Sequence, residues 1–135
     1  MDFPAKKILT LEAAQSIAQA ARAEAKKNGW NMVICVVDDG AHLIYLERMD
    51  GTQLGSVQVA QDKARTAVLF KRPSKALEEA VAGGRIVALK LGDSTPIEGG
   101  IPIMAGTELI GAIGVSGATS PQDGQVAAAG LTALS

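Results

Sequence analysis

The residue types that build most metal and disulfide sites are nearly missing from this chain. It has one histidine, His42, and one cysteine, Cys35. No intrachain disulfide can form, and the usual Cys/His zinc set is excluded within one chain. Cys35 lies inside the apolar run Met32–Val37, where a thiol behaves as a small hydrophobe. Strong charge of either sign is also lacking: 13 basic and 14 acidic residues leave a net charge of −1. The basic residues are scattered except for Lys71, Arg72 and Lys75, which flank a Pro-Ser turn and read as a solvated group. Nothing here favours nucleic acid or an anionic membrane as partner. No apolar run approaches the ~18–20 residues of a membrane span. Lys6 and Lys7 interrupt the N-terminus before a signal core can form, so a cytoplasmic protein is expected.

What is present is a globular composition, 47% hydrophobic and 20% charged over 135 residues. That length suits one domain, 1–135, and neither a repeat nor a linker divides it. With only four aromatic residues and many alanines, helices can pack closely, and Ala-rich faces are available for oligomer contacts. Thr10 can cap a helix whose apolar positions include Leu11, Ala14, Ile17, Ala18, Ala21 and Ala25, and Asn28-Gly29 stops it. Met32–Val37 reads as a central strand covered on both faces. Asp39-Gly40 signals a two-residue hairpin leading into a strand from Ala41 to Arg48. Leu54–Leu69 carries a helical stripe of Leu54, Val57, Ala60, Ala64, Ala67 and Val68, with Lys63 near its border. A helix follows at Ser74–Ala82, then a short helix or turn over 85–91. Pro96–Gly100 reads as a loop or brief edge strand. A second hairpin, 101–104 with 108–115, precedes an Ala-rich helix from Pro121 with Ser120 as its cap. Hairpins rather than βαβ units predict an α+β fold, a mainly antiparallel sheet of about five strands flanked by helices.

The first hairpin permits a geometric expectation. A two-residue loop pairs Asp38 with Ala41 and Asn31 with Arg48. One face then carries His42, Ile44, Leu46 and Arg48 beside Val33, Cys35 and Val37; the other carries Met32, Ile34, Val36 and Asp38. His42 and Arg48 end up roughly 20 Å apart, too far to grip one small ligand.

The stretch Gly111–Gly117 spells G-x-x-G-x-x-G, which is neither a dinucleotide fingerprint nor a P-loop, and it lacks the G-x-S-x-G order of a nucleophile elbow. It reads instead as a strand that something approaches closely, followed by a helix start. The chemical candidates are polar residues at element ends: Asp38, Arg48, Asp50, Lys63, Glu98 and Ser116. Arg48 with Asp50 reads as a carboxylate clamp with its counter-charge or as a structural salt bridge. Lys63 is a site lysine or a side chain lying over the surface towards solvent. His42 is a half-exposed strand residue or, as the sole histidine, the most obvious haem-iron ligand.

Two long strings then resemble a known family. Val36-Val37-Asp38, Gly40, Leu43, Arg48-Met49-Asp50-Gly51, Ser56, Ala60, Lys63-Ala64 and Thr66-Ala67 resemble the first half of the GlcG/HbpS-like proteins. Pro96-Ile97-Glu98-Gly99-Gly100-Ile101-Pro102-Ile103, Gly106, Gly111–Gly117, Gln122-Asp123 and Ala129-Gly130-Leu131 resemble the second half, so the likeness runs from about residue 8 to 134. It implies a profilin-like, PduO-C-terminal-like domain that forms homo-oligomers, octamers among them. It also implies a small-molecule ligand, haem in some relatives, with His42 as the candidate iron ligand. Asp38, Arg48, Asp50, Lys63, Glu98, Ser116 and Asp123 match its recurrent polar pattern, whereas Gly124 stands where an acidic residue is expected. A binding accessory protein is therefore one expectation. The other is an enzyme for a small carboxylate or carbonyl metabolite, with Arg48 as anion clamp and Lys63 or Glu98 in proton transfer.

Overall fold

The computed structural model describes residues 1–135. Helix α1 (Leu11–Asn28) starts where Thr10, in extended backbone, accepts the Ala13 N–H, and stops at Gly29 in the left-handed region at φ 72°. Strands β1 (Val33–Asp38) and β2 (Leu43–Arg48) follow, then helices α2 (Ser56–Leu69) and α3 (Ser74–Ala82). A 3-10 turn at Ile86–Lys90 leads by a loop to β3 (Gly100–Ala105) and β4 (Glu108–Ser116). Helix α4 (Ser120–Leu131) and a last 3-10 turn at Thr132–Leu134 complete the chain.

The sheet is antiparallel in the order β2-β1-β4-β3. It has four strands where about five were expected, because Pro96–Gly99 pairs as no strand and only Gly100 enters β3. Helices cover both faces. On one, Met32, Ile34, Val36, Ile113 and Val115 meet Ile17, Ala21, Val126 and Ala127 of α1 and α4. On the other, Val33, Cys35, Val37 and Ala112 meet Ala60, Ala64 and Ala67 of α2. A fully covered central strand is what the continuous apolar run implied. Small residues set how near the layers come. A β-carbon on Gly114 would run into the Ala60 carbonyl and the Ala64 backbone, so α2 lies directly on β4 at that point.

Three local expectations are corrected. The hairpin loop is wider than two residues, so β2 begins at Leu43 rather than Ala41. Ala41 takes φ 66°, and the Asp38 carboxylate accepts the N–H groups of Gly40 and His42. Arg48 therefore pairs with Val33, not Asn31; the two-residue slip preserves the face assignments as far as a bulge at Val36/Val37. Beyond it, Ile44 and Tyr45 both pack on the α1–α4 side. Helix α2 starts at Ser56, leaving Leu54 72% exposed instead of in the buried stripe. The cap of α4 is Thr119, not Ser120: its hydroxyl accepts the Gln122 N–H while the Gln122 side chain accepts the Thr119 N–H.

Candidate functional site

Four expected site residues gather at one end of the sheet. Arg48, Val33 and Ser116 pair across β2, β1 and β4, and the Val115 N–H bonded to the Gly99 carbonyl brings Glu98 beside that row. Lys63 overlies it from α2. Asp38 and His42 lie at the opposite end, five residues along β1, or about 17 Å. There Asp38 shapes the turn, and its Oδ1 stands 3.5 Å from His42 Nδ1. The His42 side chain is 82% exposed and lines none of the cavities beside Arg48, Arg72 or Lys6. Ser116 therefore has no histidine base, and its Oγ instead donates to Ser56 Oγ at 3.0 Å.

Lys63 does not reach solvent; it is 1% exposed. Its Nζ donates to Asp123 Oδ2 at 2.8 Å and to the Val115 carbonyl at 3.1 Å. Its stem passes Gly99, whose φ of 136° and absent side chain both matter: a β-carbon there would lie 2.9 Å from Lys63 Cδ and Nζ. Ser74 holds this passage by donating to the Ile97 carbonyl and accepting the Gly100 N–H. The other Asp123 oxygen accepts the Ala118 N–H at 2.9 Å. Burial pushes the Asp123 carboxyl above its ordinary value, against the opposing pull of Lys63 and the backbone N–H groups of Ala118 and Gly117. The pair joins α2 on one face of the sheet to α4 on the other. At the start of α4, Glu98 fills the room that a side chain at position 124 would need, since a β-carbon on Gly124 would overlap its carboxylate. The Glu98 carboxylate therefore lies at the start of α4, beside position 124.

Beside this closed cluster, an open cleft of about 530 Å³ lies where α1 ends and β2 leaves the sheet. Arg22 and Lys26 of α1 line it, with Trp30, Arg48, Met49 and Asp50 among its other walls. Arg22 is engaged by Glu47 at 3.1 Å, whereas Lys26, Arg48 and Asp50 form no ion pair. Arg48 and Asp50 are thus together in one cavity without bridging each other. Arg22, Lys26, Trp30 and Met49 were not singled out from sequence. The available signal was weak: Arg22 and Lys26 are four apart, hence on one helical face. No three His, Cys, Asp or Glu side chains cluster to hold a metal ion, and no helix is long and apolar enough to cross a membrane.

The family model described as "Haem degrading protein HbpS-like" matches residues 9–132. Protein GlcG of Escherichia coli K12 is 43% identical over 111 residues, covering 82% of this chain and 83% of GlcG. A double mutant of HbpS from Streptomyces reticuli superposes with a TM-score of 0.90 at 32% identity, over 98% of this chain and 91% of that one. The PduOC:heme complex superposes with a TM-score of 0.85 at 26% identity, over 94% and 95% of the two chains. Helices on both faces of a four-stranded antiparallel sheet, the polar row at its end and these likenesses over nearly the whole length agree: the chain belongs to the HbpS-like family.

Proposed function

We propose that this protein is an oligomeric accessory protein that binds a small carboxylate-bearing ligand, haem first among the candidates, in the cleft beside Arg48. The observation that carries this reading is the cleft's charge. Three cations, Arg22, Lys26 and Arg48, line the cleft against two carboxylates, Glu47 and Asp50; Glu47 is taken by Arg22, and Lys26 and Arg48 form no ion pair, next to the apolar surfaces of Trp30 and Met49. A guanidinium takes a carboxylate through two parallel hydrogen bonds, and an ammonium supports it as a point charge. The volume falls within the ~300–1,000 Å³ usual for small-ligand pockets. The family description and the haem complex of a structural neighbour support haem as the ligand.

The residues fit one half of a haem. Lys26 and Arg48 suit its two carboxylates, and Trp30 and Met49 offer a short apolar wall with a thioether, a known haem-iron ligand type. His42 does not fit as the iron ligand within one subunit, being exposed and outside the cleft. The iron would supply redox chemistry when bound; the chain's own part is to hold the anionic edge.

Titrating haem and following its Soret band tests the reading. Wild type should give a saturable shift, Arg48→Ala should bind about tenfold more weakly, a loss of about 1.4 kcal/mol, and His42→Ala should bind as wild type does. A spectrum that never saturates, or equal affinity in Arg48→Ala, would overturn it.

A further inference from the structure

A second cationic groove crosses the other end of the sheet. Two cavities, of about 450 and 370 Å³, share Lys71 and Leu109 as a common wall. One has Arg72, Pro73, Pro102 and Met104 around it; the other reaches Lys6 and Lys7 at the N-terminal segment. Four cations thus face two carboxylates, Asp39 and Glu108. Asp39 is taken by Lys6 at 2.7 Å, and Glu108 accepts the Lys7 backbone N–H. The charged ends of Lys7, Lys71 and Arg72 have no acidic partner within 4 Å.

The backbone adds an independent observation. Helix α2 ends with the Arg72 N–H bonded to the Ala67 carbonyl and the Lys71 N–H to Val68, a Schellman closure with Lys71 in its left-handed position at φ 53°. That position ordinarily takes glycine, because a β-carbon is strained there. Helix α1 ends by the same pair of bonds, Trp30 to Ala25 and Gly29 to Lys26, and helix α3 by Arg85 to Ala80 and Gly84 to Val81; in both the left-handed residue is glycine. Of these three closures, only the one at the groove places a side chain in the left-handed position. Strain at a left-handed non-glycine residue points to a use for its side chain.

We propose that the Lys71–Arg72 groove is a second ligand site, taking a phosphate-bearing anion with a flat apolar body. Lys71 and Arg72 hold the phosphate, and Pro102, Met104 and Leu109 carry the body. The site is separate from the Arg48 cleft and stands whether or not that cleft binds haem.

Titration with 1-naphthyl phosphate, followed by backbone amide shifts in nitrogen-15-labelled protein, tests this. Saturable shifts should gather at Lys71, Arg72, Thr107 and Leu109, persist in Arg48→Ala, and be absent with uncharged 1-naphthylmethanol. Lys71→Gly should weaken binding at least about fivefold while melting at or above the wild-type temperature, since it relieves the strain; Arg72→Gln should weaken binding similarly. Absence of shifts at this end, equal shifts from the uncharged compound, or undiminished binding in Lys71→Gly would overturn the proposal. So would a lowered melting temperature in Lys71→Gly, which would make Lys71 a structural residue.

Discussion

Lys63, which reads from sequence either as a site lysine or as a side chain reaching solvent, is the most buried cation in the molecule. Position 63 sits at the edge of a helical stripe, where the usual expectation is a stem over apolar surface and an ammonium in water. The partner that changes this, Asp123, is sixty residues away on the opposite layer, and nothing in helical spacing connects the two. The pair makes the consequences of substitution unequal. Asp123→Ala strands the ammonium with the Val115 carbonyl alone and removes the acceptor of the Ala118 N–H. It should cost near the upper end of the ~3–5 kcal/mol expected for breaking a buried pair. Lys63→Met leaves a carboxyl that burial already pushes towards its neutral form, so its cost should be nearer the lower end. The two also differ with pH. A carboxyl whose folded pKa is raised takes up a proton on folding, so its contribution improves as pH falls through that raised value. Without the opposing pull of Lys63, this window moves to higher pH. Urea unfolding should therefore show the Lys63→Met deficit shrinking as pH falls from neutrality towards the ordinary carboxylate range. A deficit constant over that range would contradict this account of the pair. Cys35, by contrast, was legible as a buried thiol; burial alone pushes it up to about 12.

At the scale of elements, periodicity located the four α-helices and turn residues located both hairpins, because each rests on interactions within a few residues. The errors came where a tertiary or single-residue conformation intervened. A left-handed Ala41 and the Asp38 side chain widened the first hairpin, and the bulge beyond it turned Ile44 to the other face. The segment 85–91 reads from sequence as a short helix or turn, and it forms the 3-10 turn Ile86–Lys90. Ala88 is its one buried residue, while Ile86, Val87, Leu89 and the following Leu91 are exposed. Contiguous exposed apolar side chains of this kind mark contact surfaces. If they meet further copies of the chain, Val87→Asp should reduce the mass seen by light scattering and leave the circular dichroism unchanged. An undiminished assembly in that variant would remove this segment from the interface.

At the scale of the whole molecule, the sheet separates two environments. One end gathers Arg48, Ser116, Glu98 and the Lys63–Asp123 clasp, with the Arg48 cleft alongside; the other carries His42, the Asp38 turn and the Lys71 groove. Sequence reasoning named Arg48 and Asp50 but could not supply the far wall of their cavity. Arg22, Lys26 and Trp30 reach it only because α1 folds back along β2 and presents its last turns there. The central claim is that the cleft recognises carboxylates through these cations. It is tested most directly by comparing, through calorimetric titration, the affinity of haem with that of its dimethyl ester, which keeps the iron and the ring but lacks the two negative charges. The account predicts that haem binds and that the ester binds at least about tenfold more weakly, a difference of about 1.4 kcal/mol, with the gap closing in Arg48→Ala. Equal affinity of wild type for the two would contradict it.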